Sequence, residues 1–157
     1  MTNKIKENLY QISYELLESN HSIKLRVGGF SMFPFLLPGD IVEIQKLALE
    51  ELKPGNIIVF RRHTGWIAHR LIKTEDNKLI TKGDSCLSLD AAINPNDFIG
   101  KVISFERNSK TYPIDSKIRK CYSFCFLKSH KIISPLLRLL IRCFFKLKKS
   151  LKTLLFR

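Results

Sequence analysis

Acid is missing from the C-terminal stretch of this chain. All 14 Asp and Glu lie within residues 1–116, beside 15 Lys and Arg, whereas residues 117–157 carry 12 Lys and Arg and no acid. The net charge of +13 therefore describes the tail, and the front is an electrically balanced body. This excludes a body built to track nucleic acid and points to a C-terminal attachment device. Cysteine is also sparse. Cys86, Cys121, Cys125 and Cys143 are too few and too scattered for a disulfide framework. Cys121 and Cys125 have helix-neighbour spacing that would suit a soft metal. Three of the four lie among Phe, Leu and Ile, however, and read as small hydrophobes, so neither metal nor cofactor is expected.

Long apolar runs are absent too. Spanning a bilayer takes roughly 18 apolar residues, and Arg138, Arg142 and Lys146 interrupt every candidate span in the tail. The first twenty residues carry Lys4, Lys6, Glu7, Glu15 and Glu18 without an unbroken apolar stretch, so no export signal is expected.

What is present reads as one domain with appendages: a helix within 1–22, a β-rich body over 23–116, and a tail over 117–157. Ile5, Leu9, Ile12, Leu16 and Leu17 fall near helical spacing and predict an amphipathic helix. Ile23 to Val27 alternates as a half-buried strand and stops at Gly28-Gly29. Pro38-Gly39-Asp40 and Pro54-Gly55-Asn56 each precede a β-rich run, Ile41–Ile44 and Ile57–Phe60. Trp66–Ile72, Leu79–Thr81 and Ile99–Phe105 supply further strands. Short strands at close intervals predict a mainly β fold, a strongly bent sheet or barrel.

In the tail, Ser134-Pro135 reads as a helix start, Ser as cap and Pro in the first turn. Beyond it Arg138, Arg142, Lys146 and Lys149 form a basic stripe. Leu136, Leu137, Leu139, Leu140, Ile141, Phe144, Phe145 and Leu147 fill the remaining arc. Such a helix lies along an anionic membrane surface. Packing of the apolar arc on the body or on a copy of itself is the alternative, and nucleic acid is not an expected partner.

Among chemistry-bearing residues, Ser31 follows two glycines at a turn, where a hydroxyl is presented but a nucleophile needs a base and an oxyanion donor. His21, His63 and His130 read as exposed. His69 shares a strand face with Ile67 and Leu71, so it is either a satisfied core histidine or a partly desolvated general base. Asp84 and Asp90 flank the loop after the next strand, and either suits the orienting carboxylate as well as ordinary turn chemistry.

Taken jointly, the order of these segments resembles the signal peptidase I family, in particular its histidine-using endoplasmic-reticulum and archaeal-like branch. Gly29-Phe30-Ser31-Met32-Phe33-Pro34-Phe35-Leu36-Leu37-Pro38-Gly39-Asp40 is similar to the family's nucleophile box. Ala68-His69-Arg70-Leu71 resembles its His-Arg box, Thr81-Lys82-Gly83-Asp84 its Lys-Gly-Asp box, and Ile99-Gly100-Lys101-Val102 its closing strand. The likeness runs from about Val27 to Val102.

The resemblance implies the bent β-barrel-like catalytic domain shared with self-cleaving repressors of the LexA type. It implies Ser31 as nucleophile, His69 as general base and acid, and Asp90 as orienting carboxylate, with Asp84 as the fallback. Met32 and Pro34 would then lie against the substrate, an extended peptide or protein precursor with small side chains before the scissile bond. The activity implied is serine endopeptidase cleavage of leader or signal segments. A non-catalytic peptide-binding module on the same fold is the alternative.

Overall fold

The computed structural model describes residues 2–63 and 65–155, and side-chain surroundings for residues 8–63, 65–143 and Lys146. Helix α1 (Thr2–Glu18) leads into strands β1 (Ile23–Arg26), β2 (Ile41–Gln45), β3 (Ile57–Arg62), β4 (Gly65–Glu75), β5 (Lys78–Lys82), β6 (Phe98–Arg107) and β7 (Lys110–Pro113), and the long helix α2 (Lys117–Leu155) follows.

The strands form one antiparallel sheet in the order β1-β2-β6-β3-β4-β5, with β7 beside β6. The sheet does not close: β1 and β5 stand at its two ends. The barrel expected from strand spacing is therefore an open sheet. Strand β6 holds it together because its ten residues pair with β3 over Phe98–Lys101, with β2 over Lys101–Glu106 and with β7 over Ser104–Arg107. Irregularities at Glu43/Ile44, Val59/Phe60 and Leu71/Lys73 break the register, and such bulges bend and twist a sheet locally.

Both faces of the sheet are covered. Strand β3 shows it most directly, since Ile57 and Val59 enter one apolar cluster with Met32, Leu36 and Val102, while Ile58 and Phe60 enter another with Leu71, Leu79 and Ile93. A strand apolar on both sides reads as a continuous hydrophobic run, which is how Ile57-Ile58-Val59-Phe60 is written.

Two hairpins turn through pairs of residues with positive φ, Asp76 (48°) with Asn77 (54°) and Asn108 (51°) with Ser109 (59°). This geometry matches the twist of the flanking strands and suits Asn and Asp. The second hairpin creates β7, a strand the sequence reading omits. Lys110-Thr111-Tyr112-Pro113 is mostly exposed and so carries little hydrophobic alternation.

The largest departure from expectation is in the tail. Ser134-Pro135 does not start a helix; α2 runs through it, with Pro135 inside. An interior proline removes one helical hydrogen bond, at a cost of about 3 kcal/mol in a bare helix. Here Pro135 and Lys131 are both exposed, so water can reach the carbonyl that proline leaves unbonded. Nor is the first half of the helix an appendage. Phe126 and Ser134 are fully buried, and Tyr122 packs against the main core cluster. Replacing Phe126 with Ala should cost about 3–5 kcal/mol of stability, read as a lower urea midpoint at unchanged m-value. A midpoint equal to wild type would show that α2 is not part of the folded core.

Candidate active site

The loop after β1 is closed at its base by two backbone bonds, Val27 N–H to the Asp40 carbonyl (2.8 Å) and Gly39 N–H to the Val27 carbonyl (2.8 Å). The Asp40 carboxylate accepts from Leu37 N–H (2.8 Å) and from Arg107 through Nε (2.9 Å) and Nη2 (2.6 Å). The Gly-Asp that ends the serine segment thus works as a clamp. Met32, Phe35 and Leu36 anchor the loop in the core, and Ser31 is left half-buried at its start.

A second loop, after β5, is stitched to the first. Ser85 donates its N–H to the Ser31 carbonyl (2.9 Å) and its hydroxyl to the Phe30 carbonyl (2.8 Å). Between the two loops sits Gly83. A Cβ placed there would meet Cys86 Sγ at 2.6 Å, the Ser31 carbonyl oxygen at 2.8 Å and His69 Nε2 at 3.0 Å. The Ser31 backbone and the His69 ring therefore both border the space that residue 83 leaves open by having no side chain.

His69, on β4, is buried, with the edge of the Phe60 ring beside it (centroids 6.1 Å apart). Its Nδ1 lies 2.7 Å from Asp90 Oδ2. The carboxylate accepts, so the proton is assigned to Nδ1 and Nε2, beside Gly83, carries the lone pair. Asp90 Oδ2 also accepts from the Thr81 hydroxyl (2.6 Å), and Asp90 N–H donates to the Thr81 carbonyl (2.9 Å). Burial works to raise the Asp90 carboxyl, but the hydrogen bonds and charge of His69, with the Thr81 bond, hold it below its ordinary value.

Asp84 has a different post. It is fully buried and bound by Arg70, Nε to Oδ1 at 2.9 Å and Nη2 to Oδ2 at 2.8 Å. Arg70 also donates through Nη1 to the Gly55 carbonyl (2.9 Å) and the Ser123 hydroxyl (2.6 Å), and lies over the rings of Phe35, Tyr122 and Phe126 at 4.8–5.4 Å. Burial pushes the Asp84 carboxyl up, against the pull of Arg70. Of the two acids, it is Asp90 that touches the imidazole; Asp84 is committed to Arg70.

Ser31 lines a cavity of about 260 Å³ whose walls include Leu25, Val27, Gly28, Gly29, Trp66, Ile67 and Ala68. Met32 contributes to this lining but is only 2% exposed, so it is chiefly a core residue. Pro34 is exposed and lies outside the lining. The rim at Trp66 is stacked by Tyr10 of α1, ring centroids 5.0 Å apart. On α2, Arg138, Arg142 and Lys146 are exposed, whereas the surroundings of the Lys149 side chain fall outside the described residues. Cys121, Cys125 and Cys143 are free and exposed. Among the described residues, no group of His, Cys, Asp and Glu is arranged to hold a metal ion.

Four participants escape a reading of the sequence. Thr81 and Ser85 look like ordinary strand and turn residues, Gly83 like a turn glycine, and Arg70 like a surface cation beside His69. The β4–β5 pairing, which sets Arg70 opposite Lys82 and Leu71 opposite Thr81, places Arg70 and Thr81, and contact with the serine loop places Gly83 and Ser85. A comparison with protein-family models gives no match, and none of the curated proteins matches the chain.

Two predictions follow from this geometry. Thr81→Val removes a hydrogen bond to a carboxylate, a loss of about 1.5–3 kcal/mol. Because the Asp90 carboxyl is depressed in the fold, that difference from wild type should be present in urea titrations above the ordinary aspartate range and shrink as pH falls through the folded value. A pH-independent difference would show that Thr81 acts by packing alone. Gly83→Ala should wedge the Ser31 and His69 segments apart and cost about 1–3 kcal/mol by overpacking, with a displaced His69 ring resonance in NMR as its marker.

Proposed function

We propose that this chain is a serine endopeptidase of the signal peptidase I type, carried on the catalytic fold of that family and working at a membrane surface. The observation that carries the reading is the His69 Nδ1 contact with Asp90 Oδ2 at 2.7 Å, on a ring whose Nε2 lies beside Gly83, as does the Ser31 backbone. An imidazole so held is in the tautomer that accepts a proton from an alcohol.

In the reaction, the Ser31 hydroxyl adds to the scissile carbonyl carbon as its proton passes to His69 Nε2, and Asp90 stabilises the resulting imidazolium. The tetrahedral adduct expels the amine, which takes that proton, leaving an acyl-enzyme on Ser31. Water, deprotonated by His69, then releases the acid and restores the serine. No step calls on a metal or cofactor.

The cavity beside Ser31 supports a peptide substrate. Its walls of Leu25, Val27, Trp66, Ile67 and Ala68 suit small apolar side chains, and β1, at the end of the sheet, offers an edge along which an extended peptide can take its register. Peripheral attachment through the basic helix α2 suits precursors presented at an anionic membrane.

The experiment is cleavage of a panel of peptides with small residues at the scissile position. Ser31→Ala should abolish cleavage while peptide binding survives, and Asp90→Asn should lower kcat on the order of 10⁴-fold. Asp84→Asn acts instead through loop stability. Equal cleavage by wild type and Ser31→Ala, or none by either while binding persists, would leave a peptide-binding module without catalysis.

A further inference from the structure

Helix α2 has two apolar faces, and only one of them is used by the domain. The inner face, carrying Tyr122, Phe126, His130, Ile133, Leu137 and Ile141, is buried or half-buried and repeats at intervals of four, four, three, four and four. The outer face carries Ile118, Cys121, Cys125, Ile132, Leu136 and Leu139 at intervals of three, four, seven, four and three. All six are exposed, Ile118 at 83%, Ile132 at 77%, Leu136 and Leu139 at 57% each. Exposed cations lie along the same side: Lys128, Lys131, Arg138, Arg142 and Lys146.

The inner face fixes the helix relative to the chemistry. Arg70 donates to Ser123 at 2.6 Å, Lys82 Nζ reaches the His130 carbonyl at 3.4 Å, and the Arg138 charge is felt by the Cys86 thiol. The helix therefore lies along the loop of residues 82–86 and does not swing as a free arm.

From these two faces we infer that α2 docks flat on an anionic lipid bilayer along its whole outer stripe from Ile118 to Leu140, sandwiched between the membrane and the domain. The inference rests on the peripheral attachment proposed above and adds the face, the extent and the orientation. Charge complementarity commits it to lipid: an acid-free helix with cations beside an apolar stripe, interrupted once between Cys125 and Ile132, matches headgroup phosphates over acyl chains. A helix with its side chains is about 10 Å across, so the loop bearing Gly83 stands roughly that far above the headgroups. The enzyme is thereby held to bonds close to the bilayer surface.

Deleting residues 117–157 does not test this, because it also removes Phe126 and Ser123 from the core. The full chain is tested instead by flotation with vesicles of phosphatidylcholine containing phosphatidylglycerol, against vesicles of phosphatidylcholine alone. Wild type should bind the anionic vesicles and release as salt rises. Ile118→Glu and Ile132→Glu, both exposed side chains, should each weaken partitioning at least about tenfold, with thermal melting and cleavage of a soluble peptide unchanged. If wild type binds and these two variants bind equally well while Leu140→Glu does not, the flat docking is wrong and only the distal end attaches. If wild type binds neither vesicle, peripheral attachment itself fails. A salt-insensitive dimer broken by Ile132→Glu, without vesicle binding, would assign the stripe to a second copy and overturn the inference.

Discussion

Arg70 sits where water cannot reach it. A fully buried guanidinium is tolerated only when its charge and its donors are met, because desolvation of an ion costs several kcal/mol even after relaxation. Asp84 meets the charge bidentately, the Gly55 carbonyl and the Ser123 hydroxyl take another nitrogen, and the faces of Phe35, Tyr122 and Phe126 surround the plane. Those partners come from four separate segments: the serine loop, the turn before β3, the loop after β5 and helix α2. One buried cation thus obliges all four to close around it, and the proposed catalytic residues sit beside the junction. His69 is the next residue along β4, and alternation sends its ring to the opposite face of the sheet.

Fixing the segments is not the same as aligning atoms within them. That finer placement falls to short polar links, Ser85 to the Ser31 and Phe30 carbonyls and Thr81 to Asp90, and to the missing side chain at Gly83. Each link joins backbone or side chains that are already held by packing. Under the proposed mechanism, a serine loop and an imidazole held this way would lose little further freedom on reaching a reactive geometry. The open position at residue 83 has a conformational basis other than a turn: its use is clearance, since any Cβ would collide with the Ser31 backbone and the His69 ring.

Periodicity made six of the seven strands legible, along with α1 and the face on which His69 lies. These signals are local: β-branched runs bounded by Pro-Gly or Asp-Asn turns, and alternation of polar with apolar residues. What was not legible depends on contacts distant in sequence. The sheet stays open because β1 and β5 end up at opposite edges, a matter of strand order that no single run encodes. Pro135 reads as a boundary on local grounds, yet the helix passes through it, because Phe126 and Ser134 before the proline are buried, Leu137 and Ile141 after it are half-buried, and tertiary packing overrides a local stop. The pairing of Asp90 with His69 was expected from a likeness of ordered motifs, and composition or spacing alone left Asp84 equally eligible. Thr81 and Ser85 carried no signal, as a lone hydroxyl gains meaning only from the acceptor opposite it.

The two aspartates show how environment sorts chemically identical groups. Both lie on the loop that follows β5, six residues apart. Asp84 is sealed from solvent, and burial drives its carboxyl upward despite the opposing pull of Arg70 and the Tyr122 hydroxyl; its charge is committed to structure. Asp90 keeps partial contact with solvent and two donors that favour its ionised form, so its carboxyl is held down. An anion that stays ionised is the partner an imidazole requires if it is to gain a proton and lose it again, because the stabilisation must be present when the ring is charged and must not be quenched by protonation of the acid. The burial of the His69 ring also strengthens the attraction between Asp90 and an imidazolium at 2.7 Å. Structural and chemical roles are thus divided between the acids by depth of burial, and the division follows from which side of the β4–β5 pair each one faces.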